Sequence, residues 1–148
     1  MPQAFLLTAL SWLSIAIFGS LPFVFSNIEL SLTDAFFESM SGITTTGSTI
    51  LTNLNETPKA ILLWRAMLQW LGGIGIIVMA ITLMPIMNIG GMQLFVISTS
   101  NTPEKILPKS KEVSVRLILV YIALTITCAV FYKIFGMGFF DSIVHSMT

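Results

Sequence analysis

Three long apolar segments leave this chain few ways to fold. Ala4 to Phe25 carries no charged residue, Ala60 to Met87 carries only Arg65, and Leu117 to Phe135 carries only Lys133. A helix needs about 20 predominantly apolar residues to cross a hydrocarbon core, and each segment reaches that length. Charged residues are 9% of the sequence, far below the roughly 25% of soluble domains. A cleaved signal peptide would need a basic start and a small-x-small site, and Ala4–Phe25 shows neither. An all-α membrane protein follows, with spans at 4–25, 60–87 and from 117 onward.

Between the first two spans lies SLTDAFFESMSGITTTGSTI, Ser31 to Ile50, which cannot cross a bilayer itself. A helix over Thr33–Gly42 rises roughly 15 Å, about half of a ~30 Å core. Ser31 and Asp34 have capping-box spacing at its start. The run Thr44-Thr45-Thr46-Gly47-Ser48 that follows is a poor helix and a poor soluble strand. A short helix and a Thr/Gly run, held between spans, is the arrangement of a re-entrant ion-selective loop. Taken alone, the same five residues also suit a solvated turn.

The second span has a readable start, with Thr57 as cap and Pro58 at the first helical position, and a stop near Pro85 and Gly90-Gly91. Gly72, Gly73 and Gly75 inside it remove bulk where another element can approach. Lys105, Lys109, Lys111 and Arg116 crowd the stretch Ser98–Arg116, which the positive-inside rule places in the cytoplasm. The Thr/Gly loop then faces outside, with the sequon Asn55-Glu56-Thr57 beside it. Formal net charge is zero and no basic patch interleaved with aromatics occurs, so no nucleic-acid partner is expected. One histidine, His145, and one cysteine, Cys128, offer no metal cluster, disulfide framework or catalytic constellation. The chain is not expected to be an enzyme and needs no cofactor.

The chain also repeats. Asp34, Ser39 and Met40 align with Asp141, Ser146 and Met147 at an offset of 141 − 34 = 107, and His145 takes the place of Glu38. The sequence therefore reads as about one and a half membrane–loop–membrane units. Residues 1–87 form the first (short helix 33–42, loop 43–49), 88–116 link, and 117–148 begin the second.

The runs DAFFESMSGITTTGST, LLWRAMLQWLGGIGIIV and NIGGMQL resemble the first pore unit of the Trk/Ktr/HKT superfamily of cation transporters, nearest its TrkH branch. The resemblance implies four such units in one polypeptide around a pseudo-fourfold axis, in a bacterial inner membrane, carrying potassium. It further implies a homodimer with a cytoplasmic nucleotide-binding regulatory subunit. On this resemblance Thr44, Thr45, Thr46, Gly47 and Ser48 form the selectivity filter, with potassium held by the backbone of Thr45, Thr46 and Gly47.

Physical chemistry agrees with that assignment. Carbonyls can replace a cation's water shell without burying a full negative charge. Gly47 permits φ values barred to other residues, while the β-branched threonines favour an extended run. The short helix would point its carbonyl end, partly negative, at the ion. Glu38 and Arg65 can pair beside the loop, or Arg65 can snorkel to the interface. Met40 and Met147 suit packing behind it. The competing expectation is a non-transporting scaffold whose loop only packs.

Overall fold

The structure, a computed structural model, describes residues 2–52, 54, 56–87 and 106–148. The sequon asparagine Asn55, Lys105, the Gly90-Gly91 stop and the NIGGMQL run lie outside the described residues. Among the described residues every regular element is helical: α1 Pro2–Val24, α2 Leu32–Ile43, α3 Lys59–Met87, α4 Ile106–Ile134 and α5 Phe139–Met147. Three stretches are long and apolar enough to cross a membrane, Phe5–Val24, Lys59–Met79 and Glu112–Ile134.

α1, α2 and α3 pack together around Phe23, Ala35, Ile43, Ile61 and Leu68, with Trp12, Met40 and Trp64 at the edge of that cluster. Lipid tails are as apolar as these side chains, so close fit and interhelical hydrogen bonds carry association here more than water exclusion does. Two tryptophans supply such bonds. Trp64 Nε1 donates to the Gly19 carbonyl at 2.9 Å, tying α3 to α1, and Trp70 Nε1 donates to Thr125 Oγ1 at 3.0 Å, tying α3 to α4. Close fit shows at Gly72, where a Cβ would overlap the Ile43 carbonyl group, its carbon at 2.8 Å. A Cβ on Gly73 would sit 2.8 Å from the Tyr121 hydroxyl, whereas one on Gly75 meets nothing within 4 Å. Two of the three glycines thus seat neighbours, Gly72 the end of α2 and Gly73 the side of α4.

α2 has 12 residues, about 18 Å of helix and little more than half a hydrocarbon core. Ser31 caps it, its Oγ accepting from Asp34 N at 3.2 Å and pairing with Thr33 Oγ1 at 2.9 Å. Asp34 stands in the first turn, where negative charge suits the helix dipole. Ser31→Ala should lower the stability of the full-length protein by about 1 kcal/mol, read as a fall in midpoint on thermal unfolding in detergent. An unchanged midpoint would mean the cap contributes nothing.

Two boundaries differ from the sequence reading. α3 begins at Lys59, one residue after the expected first position Pro58, whose carbonyl accepts from Ile61 N and Leu62 N at 2.9 and 3.2 Å. α4 begins at Ile106, well before Leu117, so the last part of the expected linker 88–116 is helical. The reason is that a helix needs backbone propensity, not apolarity. Lys and Glu are good helix formers, and Glu112 pairs with Arg116 one turn on, at 2.5 Å.

α5 starts at Phe139 and α2 at Leu32, and 139 − 32 = 107, the offset of the sequence repeat. α5 packs on α3 and α4, with Lys59 Nζ 5.5 Å from the centre of the Phe140 ring. No residue in the span of α4 is buried within the chain's own core, leaving that helix open to lipid or to further protein.

Candidate ion-coordinating loop

The loop is built from the end of α2. Thr45 N donates to the Gly42 carbonyl at 2.9 Å and Thr46 N to the Ser41 carbonyl at 3.0 Å. Those two bonds define a Schellman closure, whose residue after the cap must be left-handed and is usually glycine. Here it is Thr45, with φ +56°. α4 ends with the same pair of bonds, Gly136 N to Lys133 O and Met137 N to Tyr132 O, but puts glycine in that place, with φ +94°. A left-handed threonine costs roughly 1–2 kcal/mol. The neighbouring hydroxyls help offset it: Thr44 Oγ1 donates to Met40 O at 2.7 Å and pairs with Thr46 Oγ1 at 2.8 Å.

The extended threonine run expected from β-branching is therefore corrected at Thr45. Helix closure overrides side-chain preference there. Gly47, two residues on, is also left-handed, with φ +79°. In a regular strand successive residues face opposite sides. Left-handed residues at every second position break that alternation and let successive carbonyls turn toward one side. Thr44 is half-buried, and Thr45 to Ile50 are exposed in this chain.

Behind the loop stands Glu38, fully buried on α2. Its Oε1 accepts from Thr49 Oγ1 at 2.9 Å and from Arg65 Nε at 2.5 Å, and its Oε2 accepts from Ile50 N at 3.1 Å. A buried carboxylate without such partners would cost several kcal/mol. Arg65 comes from α3, its side chain 15% exposed, so it lies in the protein beside Glu38 and not at a lipid interface. Its Nη2 donates to the Gly47 carbonyl at 3.3 Å. Ser41 Oγ donates to the Ser48 carbonyl at 2.6 Å.

The carbonyls of the five expected residues thus divide. Those of Gly47 and Ser48 are engaged by Arg65 and Ser41, while those of Thr44, Thr45 and Thr46 receive no hydrogen bond among the described residues. Sequence reasoning missed Ser41, Thr49 and Ile50 as partners. The available signal was weak: a serine in the last turn of α2 and a threonine just past the run. His145, at the Glu38 position of the second copy, donates from Nδ1 to the Asp141 carbonyl of its own helix at 2.9 Å and meets the Tyr132 ring edge-on. Among the described residues no group of His, Cys, Asp or Glu could hold a metal ion.

Residues 1–147 match the family described as TrkH, cation transport protein. The chain is 45% identical over 146 residues to the Trk system potassium uptake protein TrkI of Halomonas elongata, covering 99% of this chain and 30% of that protein. It is 46% identical over 147 residues to the Trk system potassium uptake protein TrkH of Escherichia coli K12, covering 97% of this chain and again 30% of the relative. Its structure is similar to the crystal structure of the potassium transporter TrkH from Vibrio parahaemolyticus, with a TM-score of 0.80 and 44% identity across 97% of this chain and 28% of that one. The chain thus spans less than a third of these relatives. On this sequence match and this all-helical fold, with its three membrane-length helices, the chain belongs to the TrkH family of cation transport proteins.

Proposed function

We propose that Thr44 to Ser48 is one strand of a potassium selectivity filter, and that the chain supplies this strand and the start of a second unit to a potassium uptake protein. The observation that carries the reading is the loop's backbone: left-handed residues at Thr45 and Gly47, with the carbonyls of Thr44, Thr45 and Thr46 free of protein donors among the described residues. Several oxygens at one depth are what a dehydrated cation needs. One strand provides too few, so the pathway requires the equivalent strands of further units. Of the five residues, Thr44 to Thr46 offer open carbonyls, Gly47 shares its carbonyl with Arg65, and Ser48 turns its carbonyl back to Ser41. The end of α2 adds partial negative charge on the same side as the loop.

The names of the relatives support potassium as the ion. By the same resemblance the working protein sits in the inner membrane, the loop facing outside and 98–116 in the cytoplasm, as a homodimer bound to a cytoplasmic nucleotide-binding subunit. The test is potassium flux by the full-length protein in liposomes. Flux abolished when Thr44–Thr46 are changed together to alanine and Gly47 to aspartate, with insertion retained, is expected. Wild-type flux from that variant, or none from the unaltered protein, would favour a loop that only packs.

A further inference from the structure

We propose that Arg65 is a positioning residue that sets discrimination between potassium and smaller cations. The inference rests on the filter reading above and assigns a role to a side chain outside the loop. Its guanidinium bridges two elements at once, Nε on the buried Glu38 carboxylate of α2 and Nη2 on the Gly47 carbonyl of the loop. The same carboxylate holds Thr49 Oγ1 and Ile50 N. Ser48, between these anchor points, is held by Ser41. Every residue from Gly47 to Ile50 is therefore fastened to α2 or α3.

Fastening matters because a smaller cation is favoured when carbonyls can close around it. Selectivity by cavity size weakens when the strand can move inward, and selectivity by the number of carbonyl dipoles changes when the Gly47 carbonyl is freed to turn. Gly47 lacks a side chain to limit that movement, and a Cβ placed there meets nothing within 4 Å. The restraint on its carbonyl is the hydrogen bond from Arg65. Only a planar guanidinium, with donors in a fixed fork, can serve both acceptors together. A lysine ammonium keeps the charge but is a single point donor on a flexible stem.

The experiment compares Arg65→Lys and Arg65→Gln in the full-length protein, measuring uptake of potassium and sodium, KM and maximal rate, and the amount of inserted protein. Discrimination against sodium should fall about tenfold in Arg65→Lys, with sodium exclusion lost more than potassium uptake. A merely structural arginine would lower the inserted amount and both rates together, leaving their ratio as in the wild type. That outcome in Arg65→Lys overturns the proposal. If neither Arg65 variant accumulates, Glu38→Gln decides, since a neutral amide loosens the hold on the guanidinium that reaches the Gly47 carbonyl. A wild-type ratio there overturns the proposal, and a reduced one supports it. Failure of the filter reading is distinguishable: it shows as normal uptake in Gly47→Asp, whereas an inactive Gly47→Asp beside a fully selective Arg65→Lys rejects the Arg65 role alone.

Discussion

Gly47→Asp in the full-length protein should abolish potassium uptake, a loss of at least about 100-fold, while the protein still inserts in the membrane. Two effects are separable at this position. The backbone is left-handed, with φ +79°, and an ordinary residue there costs roughly 1–2 kcal/mol, which alone gives about a tenfold loss. Space is not the obstacle, since a Cβ meets no atom within 4 Å. Asp and Asn tolerate left-handed backbone better than most residues, so the larger part of the aspartate effect is its full negative charge beside carbonyls that carry only partial charge. Gly47→Asn should accordingly transport better than Gly47→Ala, and both better than Gly47→Asp. Growth on limiting potassium, with inserted protein quantified, ranks the three. Uptake by Gly47→Asp at the wild-type rate would remove the loop from the ion's path.

Gly72→Ala should be the most damaging small substitution in α3. A Cβ there would overlap the Ile43 carbonyl group, with backbone atoms of α2 at 2.8 and 3.1 Å. Backbone cannot rotate away as a side chain can, so α2 must shift or α3 must bend, at about 3 kcal/mol, the upper end of overpacking costs. The shift would reach the loop directly, because Ile43 is the last residue of α2 before Thr44. Gly75→Ala, three residues on in the same helix and facing nothing within 4 Å, should instead be neutral or stabilise by up to about 1 kcal/mol through helix propensity. Thermal unfolding of the purified full-length variants tests the contrast. Equal midpoints for the two substitutions would show that α2 and α3 do not approach so closely.

Much of this architecture is legible without coordinates. Apolar length marks the spans, Ser31 and Asp34 mark the start of α2, and the repeat of Asp34, Ser39 and Met40 at Asp141, Ser146 and Met147 is matched by helices that start at the same offset. These are local or periodic properties. Apolarity places the last span from Leu117, while α4 already runs from Ile106, because charged residues end an apolar run without ending a helix. Arg65 and Glu38 stood as one of two alternatives, since a sequence cannot say whether a cation 27 residues away, at the end of a span, meets a carboxylate or the lipid interface.

What the sequence by itself determined is the class and the cut of the chain: an all-helical membrane protein whose Ser31–Ile50 segment is too short and too polar to span. Hydrophobic length and capping are summed over neighbours in the chain, so they are written there. Only the tertiary structure decided the conformation of Thr45, the second bond of Arg65 to Gly47, and the seating of Ile43 on Gly72. The last two depend on a partner brought from another element. Thr45 depends on the geometry of a helix end: its side chain prefers extended backbone, yet the closure of α2 holds it left-handed. A local preference of about 1–2 kcal/mol yields when the closing hydrogen bonds of the helix require the opposite.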